Sequence, residues 1–167
     1  LCVPLPAATD GDASLRGEVA VHAEPGAGTL LVLLDGRLLA TVALPPPLAI
    51  DAVVDGASVV PRDDYDGVEH DDELRRVVAQ VRTAAVQAVA DGCAHAGPHE
   101  LPASVVRSAL TAALALGLAI DDDHPLAQAP VWPVIDGVPV ALATLREQTV
   151  VAVTAPASPV RGPAGRP

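Results

Sequence analysis

The chain has 167 residues, half of them apolar, and a formal net charge of −11 at pH 7. This length suits one domain, or one domain with a small appendage, and it is sufficient to bury a core. The acidic charge and the absence of lysine argue against a nucleic-acid partner, because phosphate binding requires clustered Lys and Arg side chains.

The first third of the chain predicts a sheet. Residues 1–15 mix Pro, Ala, Asp and Gly without periodicity, which is typical of a flexible lead-in. The alternating run GEVAVHA at 17–23 predicts a half-buried strand. Two apolar runs at 29–44 are joined by Asp35-Gly36, a dipeptide that favours the tight turn of a β-hairpin. Three prolines at 45–47 end the pairing, and residues 48–56 predict a further strand.

Two helices are predicted after the strands. Apolar residues recur at helical spacing over 71–91 and end near Gly92. We expect Val77, Val78 and Val81 to pack on the sheet. A second helix is predicted at 102–117, with proline in its first turn and glycine near its end.

The C-terminal part predicts a small β-rich element. Residues 130–154 indicate a strand, an Asp136-Gly137 turn, a second strand, a short helical turn at ATLRE and a last strand at 149–154. The end of the chain is rich in Pro and Gly and has the composition of a linker.

The predicted fold class is α/β (α+β): a mixed or antiparallel sheet with two covering helices and a small C-terminal β-rich element. The predicted organisation is a flexible lead-in at 1–15, an α/β core domain at 16–120, a β-rich element packed on the core at 121–155, and a disordered tail or linker at 156–167.

Cysteine content and hydropathy favour a cytoplasmic setting without a membrane partner. Cys2 and Cys93 are too few for a disulfide framework, and no basic leader with an apolar segment opens the chain. The most apolar window, 108–120, has 13 residues, whereas a spanning helix needs about 20, so we expect a core helix there. The chain begins without Met and contains none, which we interpret as a sign of a piece of a longer protein.

The stretch RDDYDGVEHDDE at 62–73 resembles the calcium loop of an EF-hand, because placing Gly67 at the sixth position puts Asp64, Asp66 and Glu73 at the third, fifth and twelfth positions. Arg62, however, occupies the first ligand position, and Glu69 occupies the position that needs an apolar anchor. The residues before the stretch predict a strand in place of the entering helix. We therefore expect no calcium site.

The carboxylates at 71–73 have a simpler interpretation as helix capping and surface charge. They lie in the first turn of the predicted helix, where negative charge is favourable. Asp71 and Asp72 precede Arg75 and Arg76 by four residues, which favours ion pairs between them.

Two short segments carry residues that metals or catalysis use. CAHAGPH places Cys93, His95 and His99 within seven residues, and these are ligand types that zinc prefers. A fourth ligand is not evident in the sequence, although His70 or His124 could approach in three dimensions. The alternative is a polar loop after a helix, with a buried free cysteine.

IDDDHP at 120–125 offers three carboxylates and a histidine, which suit general-base chemistry or a magnesium site. The alternative is a solvated turn after the second helix. No GxxxxGK[ST] loop, GxGxxG loop or serine nucleophile elbow is present. EPGAGT at 24–29 lies between two predicted strands and is interpreted as a hairpin turn instead of a phosphate cradle.

Residues 50–89 resemble part of the middle domain of the ninety-kilodalton heat-shock chaperones. In that family a strand ending in GVVDS leads through an irregular LPLNISRE segment into a long helix with a Leu-rich first turn. Here Val53-Val54-Asp55 is similar to the strand end, Pro61 to the loop proline, and Leu74 begins the helix. The preceding strand pair and proline connection also fit, so the resemblance covers residues 30–90.

This resemblance implies a divergent middle-type module of a larger chaperone-like ATPase. The family's loop arginine reaches the γ-phosphate of ATP bound in a neighbouring domain, but Asp66 stands at that position here and Arg62 is out of register. That role is therefore not carried over. The family binds nucleotide in a separate N-terminal domain whose glycine-rich motifs this chain lacks, so we expect no ATP hydrolysis by this chain alone.

The leading hypothesis is a non-catalytic module for interaction or domain coupling, with a protein or neighbouring domain as its partner. It implies no catalytic residue, no cofactor, no metal, no nucleic acid and no membrane. The alternative is a small metal-dependent enzyme that uses Cys93, His95, His99 and the acidic loops.

Overall fold

The computed structural model describes residues 1–5, 15–56, 59–63, 67–69, 71–96, 101–134 and 137–148. A five-stranded sheet consists of β1 (Cys2–Pro4), β2 (Arg16–Val21), β3 (Gly28–Leu34), β4 (Arg37–Leu44) and β5 (Ile50–Asp55). The helices are α1 (Asp72–Ala96), α2 (Ala103–Ala115), α3 (Pro125–Gln128) and α4 (Leu142–Arg146). A two-stranded sheet pairs β6 (Pro130–Trp132) with β7 (Val140–Ala141). The predicted mixed α/β fold class is confirmed.

The five strands lie in the order β1-β2-β5-β3-β4. β3 and β5 are parallel, and all other neighbouring strands in this sheet are antiparallel. Because successive side chains of a strand point to opposite faces, the alternating burial along these strands defines one buried face. Its central side chains are Val19, Leu30, Val32, Ile50, Ala52 and Val54.

The hairpin predicted at Asp35-Gly36 is confirmed. Both turn residues have positive φ, 50° for Asp35 and 76° for Gly36, as the tight turn of a two-residue hairpin requires. The Gly36 amide donates to the Asp55 carboxylate over 2.9 Å, which ties the turn to β5. Pairing of β4 ends at Leu44, immediately before the three prolines, as predicted.

Helix α1 covers the buried face of the sheet. Its N terminus is capped by Asp71, whose Oδ1 accepts a hydrogen bond from the Leu74 amide at 2.9 Å. Val77 and Val81 are exposed by only 1% and 0%, and the helix contacts β1, β2 and β5. Val78 also packs against this core but is only partly buried, so the expectation that all three valines pack on the sheet holds fully for Val77 and Val81 and in part for Val78.

Helix α1 continues to Ala96, beyond the end predicted near Gly92. A glycine inside a helix costs about 1 kcal/mol relative to alanine, and burial of Val89 and Cys93 on either side offsets this cost. A Cβ at Gly92 would lie 2.9 Å from Leu101 Cδ1. The glycine therefore permits close packing and does not end the helix.

Helix α2 ends as its sequence predicts. Gly117 has a φ of 70°, and its amide donates to the Leu114 carbonyl at 3.1 Å. The Leu118 amide donates to the Ala113 carbonyl at 2.9 Å. These two bonds form a Schellman motif, in which a left-handed glycine satisfies the last carbonyls of the helix.

The C-terminal elements pack on α1 and α2. The Arg107 guanidinium of α2 donates to the Val131 carbonyl at 2.6 Å, and Arg146 of α4 donates to the Ile120 carbonyl at 2.8 Å. Helix α4 confirms the helical turn predicted at ATLRE, whereas α3 was not predicted. Asp136, the predicted strand at 149–154 and the tail at 156–167 lie outside the described residues.

The lead-in predicted at 1–15 is wrong for its first residues. Cys2–Pro4 forms β1, which pairs with β2, and Leu5 and Leu15 are buried. A three-residue strand is too short to show a period, and Pro4 is compatible with an edge strand because its missing N–H is not needed there. Residues 6–14 lie outside the described ranges.

Candidate functional site

The carboxylates at 71–73 cap the helix and form surface ion pairs, as predicted, but with different partners. Asp72 pairs with Arg75, and Glu73 Oε2 accepts a hydrogen bond from Arg76 Nη1 at 2.9 Å. Both pairs are three residues apart instead of four, and the Asp71 carboxylate accepts a hydrogen bond from the Leu74 amide at the helix N terminus. The hydrogen bond from Arg75 and its positive charge lower the pKa of Asp72.

The preceding part of the acidic stretch folds back on itself. The Arg62 amide donates to the Gly67 carbonyl at 3.0 Å, and the Glu69 amide donates to the Val60 carbonyl at 2.9 Å. The strand β5 precedes this loop, so the entering helix of an EF-hand is absent. Residues 64–66 and His70 lie outside the described residues. The absence of calcium binding stays a prediction.

Cys93 and His95 do not face a common point. They are two residues apart on α1 and therefore about 200° apart around its axis. Cys93 is buried, and burial raises the pKa of its thiol, which disfavours the thiolate that binds metal. His95 is exposed, with Nδ1 2.8 Å from the Asp91 carbonyl oxygen. His99 lies outside the described residues.

The acidic turn at 120–125 is held by hydrogen bonds from Arg146 of α4 and from the Leu126 amide. Asp122 Oδ1 accepts a hydrogen bond from Arg146 Nη1 at 2.8 Å, and His124 Nδ1 accepts one from the Leu126 amide at 3.2 Å. The carboxylates of residues 121–123 are exposed. These contacts favour the solvated turn over an inward-facing catalytic or magnesium site.

The segment EPGAGT connects β2 to β3, but these strands are not neighbours, since β5 lies between them. The prediction of a hairpin turn is therefore wrong. The segment crosses the end of β5, and the chain passes so close that a Cβ on Gly28 would lie 1.9 Å from the Ile50 carbonyl oxygen. The turn residues of this segment do not indicate the order of the strands in the sheet.

The face of the sheet opposite α1 is the strongest candidate site, and we call it the outer face. Its centre consists of two rows of cross-strand partners. One row is Cys2, Ala20, Asp51, Thr29 and Ala43, and the other is Pro4, Glu18, Val53, Leu31 and Thr41. The next pair, Leu33 and Leu38, extends the apolar surface, and Leu38 is 61% exposed.

An open groove of about 350 Å³ follows these rows. Its apolar lining comes mainly from Ala20, Leu31 and Val53, and its charged lining comes from Glu18 and Asp51. Val53 is 38% exposed although it lies on the central strand of the sheet. The groove therefore combines apolar surface with negative charge.

The two carboxylates of the groove differ in their partners. Asp51 Oδ1 accepts a hydrogen bond from the Thr29 amide at 3.0 Å, and its Oδ2 lies 2.8 Å from His22 Nε2. The Glu18 side chain is exposed, and its carboxylate makes no hydrogen bond or ion pair with any residue that the structure describes. Glu18 is thus the carboxylate in the groove that is available to a ligand.

The sequence did not predict the residues of this groove. It predicted a half-buried strand that contains Glu18 and a further strand that contains Asp51. It did not show that β2, β5 and β3 are adjacent, so the two carboxylates could not be assigned to one surface.

Within the described ranges, no group of three or more His, Cys, Asp or Glu residues is placed to hold a metal ion. Over the same ranges, no helix is both long enough and apolar enough to cross a membrane. Comparison of the chain with protein-family models, curated proteins and solved structures gives no match.

Proposed function

We propose that the chain is a non-catalytic, cytoplasmic module for interaction or domain coupling, and that it binds another polypeptide or a neighbouring domain through the outer face. The observation that carries this proposal is the exposure of Val53, with Leu31 and Leu33 beside it only partly buried, on the interior strands β5 and β3. A contiguous apolar surface on such strands is typical of a contact site.

The chemistry-bearing segments support a non-catalytic role. Cys93 is buried and has a raised pKa, and it faces away from His95. The carboxylates at 71–73 and Asp122 participate in helix capping and ion pairs. None of these described groups is paired as a nucleophile with a base.

We further propose that the module is a divergent middle-type domain of a chaperone-like ATPase. The support is the order of the described elements: the β3–β4 hairpin, the proline connection, β5 and the long helix α1 follow one another as the resemblance requires. Within that architecture the outer face is available for a neighbouring domain or a bound polypeptide.

Cys2 provides a direct test, because it is exposed and lines the groove. Brief alkylation with N-ethylmaleimide, followed by mass spectrometry of the Cys2 peptide, compares the purified chain with the same chain in its host cells. A Thr83→Cys variant reports an exposed position on α1, away from the sheet. We expect Cys2 to be protected in cells and labelled in the purified chain, with position 83 labelled in both. Equal labelling of Cys2 in both settings would contradict the proposal.

A further inference from the structure

We infer that the segment docking in the groove of the outer face is both basic and apolar, with leucine-like side chains flanked by Lys or Arg. This inference rests on the proposed function, because it identifies the chemistry of the partner at the same site. Among the residues that the structure describes, the groove lining contains two acidic side chains, Glu18 and Asp51, and no Lys or Arg. Electrostatic complementarity therefore selects a cationic ligand.

The two carboxylates are placed to act together. Glu18 pairs with Val53 across β2 and β5, whereas Asp51 pairs with Ala20, so Glu18 and Asp51 are diagonal neighbours on one face. Such neighbours lie about 7–8 Å apart. One extended or helical segment can therefore place two basic side chains so that each reaches one of the carboxylates. The apolar lining between them comes from Val53 and Ala20, with Leu31 adjacent.

The groove selects a basic partner because the Glu18 carboxylate is available to a ligand. Asp51 is partly compensated by His22 and by the Thr29 amide, whereas the Glu18 carboxylate makes no hydrogen bond or ion pair with the described residues. A segment that covered the groove with apolar side chains alone would desolvate the Glu18 carboxylate without compensation, which is costly. A guanidinium or ammonium group of the partner would restore a charge-assisted hydrogen bond.

A second copy of this chain does not meet the requirement. It would bring the same acidic pair to the contact and a net charge of −11, and like charges at an interface oppose association. Its ten arginines are outnumbered by 21 Asp and Glu residues. The occupant that fits is therefore a basic, apolar segment of another polypeptide.

The test uses two fluorescein-labelled peptides, one alternating leucine with lysine and one alternating leucine with glutamate. Fluorescence anisotropy measures the Kd for each, and alkylation of Cys2 shows whether the peptide occupies the groove. The decisive variant is Glu18→Gln with Asp51→Asn. Its matched control is Asp121→Asn with Asp123→Asn, which removes the same charge from an exposed turn.

We expect the leucine–lysine peptide to bind and to protect Cys2, and the leucine–glutamate peptide to do neither. The groove variant should weaken binding of the basic peptide about ten-fold or more, and the control less than about two-fold at about 0.1 M salt. If both variants weaken binding of the basic peptide equally, the effect depends on net charge alone, and the inference is overturned.

Other occupants give different results. If both peptides protect Cys2 equally, or if neither protects it, the groove does not select a basic segment. Protection of Cys2 that rises with protein concentration alone would assign the groove to a second copy. Faster Cys2 labelling after Arg161→Glu and Arg166→Glu would assign it to the chain's own C-terminal segment. Each of these results overturns the inference, whereas the proposed function depends separately on protection of Cys2 in cells.

Discussion

The role of α1 as the cover of the inner face can be tested by one pair of identical substitutions on that helix. Val81 is 0% exposed, and Val78 is only partly buried. Removing the two methyl groups in Val81→Ala costs about 1.6 kcal/mol of transfer free energy and about 1 kcal/mol for the cavity. Alanine is the better helix former by about 0.5 kcal/mol, so the net loss of stability is about 2 kcal/mol.

Val78→Ala makes the same chemical change with the same gain in helix propensity, but it creates little cavity. We expect it to change the free energy of unfolding by less than about 0.5 kcal/mol. Urea unfolding followed by circular dichroism measures both values, with the slope of the transition confirming that the unfolded state is unchanged. If the two variants lose equal stability, Val81 does not face the sheet, and the assignment of inner and outer faces loses its basis.

Gly28→Ala should destabilise the fold by about 1–3 kcal/mol in the same assay, because its Cβ would meet the Ile50 backbone. Gly26→Ala should change stability little, because a Cβ there lies 3.9 Å from Ala49 Cβ. Equal losses of stability in the two variants would contradict the strand crossing. Asp71→Ala should cost about 1 kcal/mol through loss of the helix cap, and more than Asp72→Ala, which removes only an exposed ion-pair partner. Calorimetry at micromolar calcium should detect no binding, and a tight site abolished by Asp64→Ala would show this expectation to be wrong. The purified chain should neither bind nor hydrolyse ATP, and saturable binding of labelled ATP would count against that.

Local signals predicted the elements that depend on local chemistry. Asp35-Gly36 supplies both positive φ values of the hairpin turn, Asp71 supplies the helix cap, and Gly117 supplies the left-handed residue after α2. The corresponding elements occur where the sequence predicts them. In each case the residue that specifies the structure lies within a few positions of the structure it specifies.

The remaining elements depend on distant parts of the chain. The insertion of β5 between β2 and β3 follows from pairing over about thirty residues of sequence, and no turn signal records it. Gly92 was interpreted as a helix end because its packing partner Leu101 is not visible in the local pattern. The same limitation concealed the groove, since Glu18 and Asp51 become neighbours only after β2 and β5 pair.

Site-specific photo-crosslinking in cells shows directly whether the outer face contacts another polypeptide. Leu38 on the outer face and Leu114 on α2 are both 61% exposed, so a benzophenone side chain at either position has equal access to solvent. If the outer face contacts another polypeptide, we expect a discrete crosslinked product from position 38 and little or no product from position 114. Equal yields from the two positions, or adducts from position 114 alone, would contradict it.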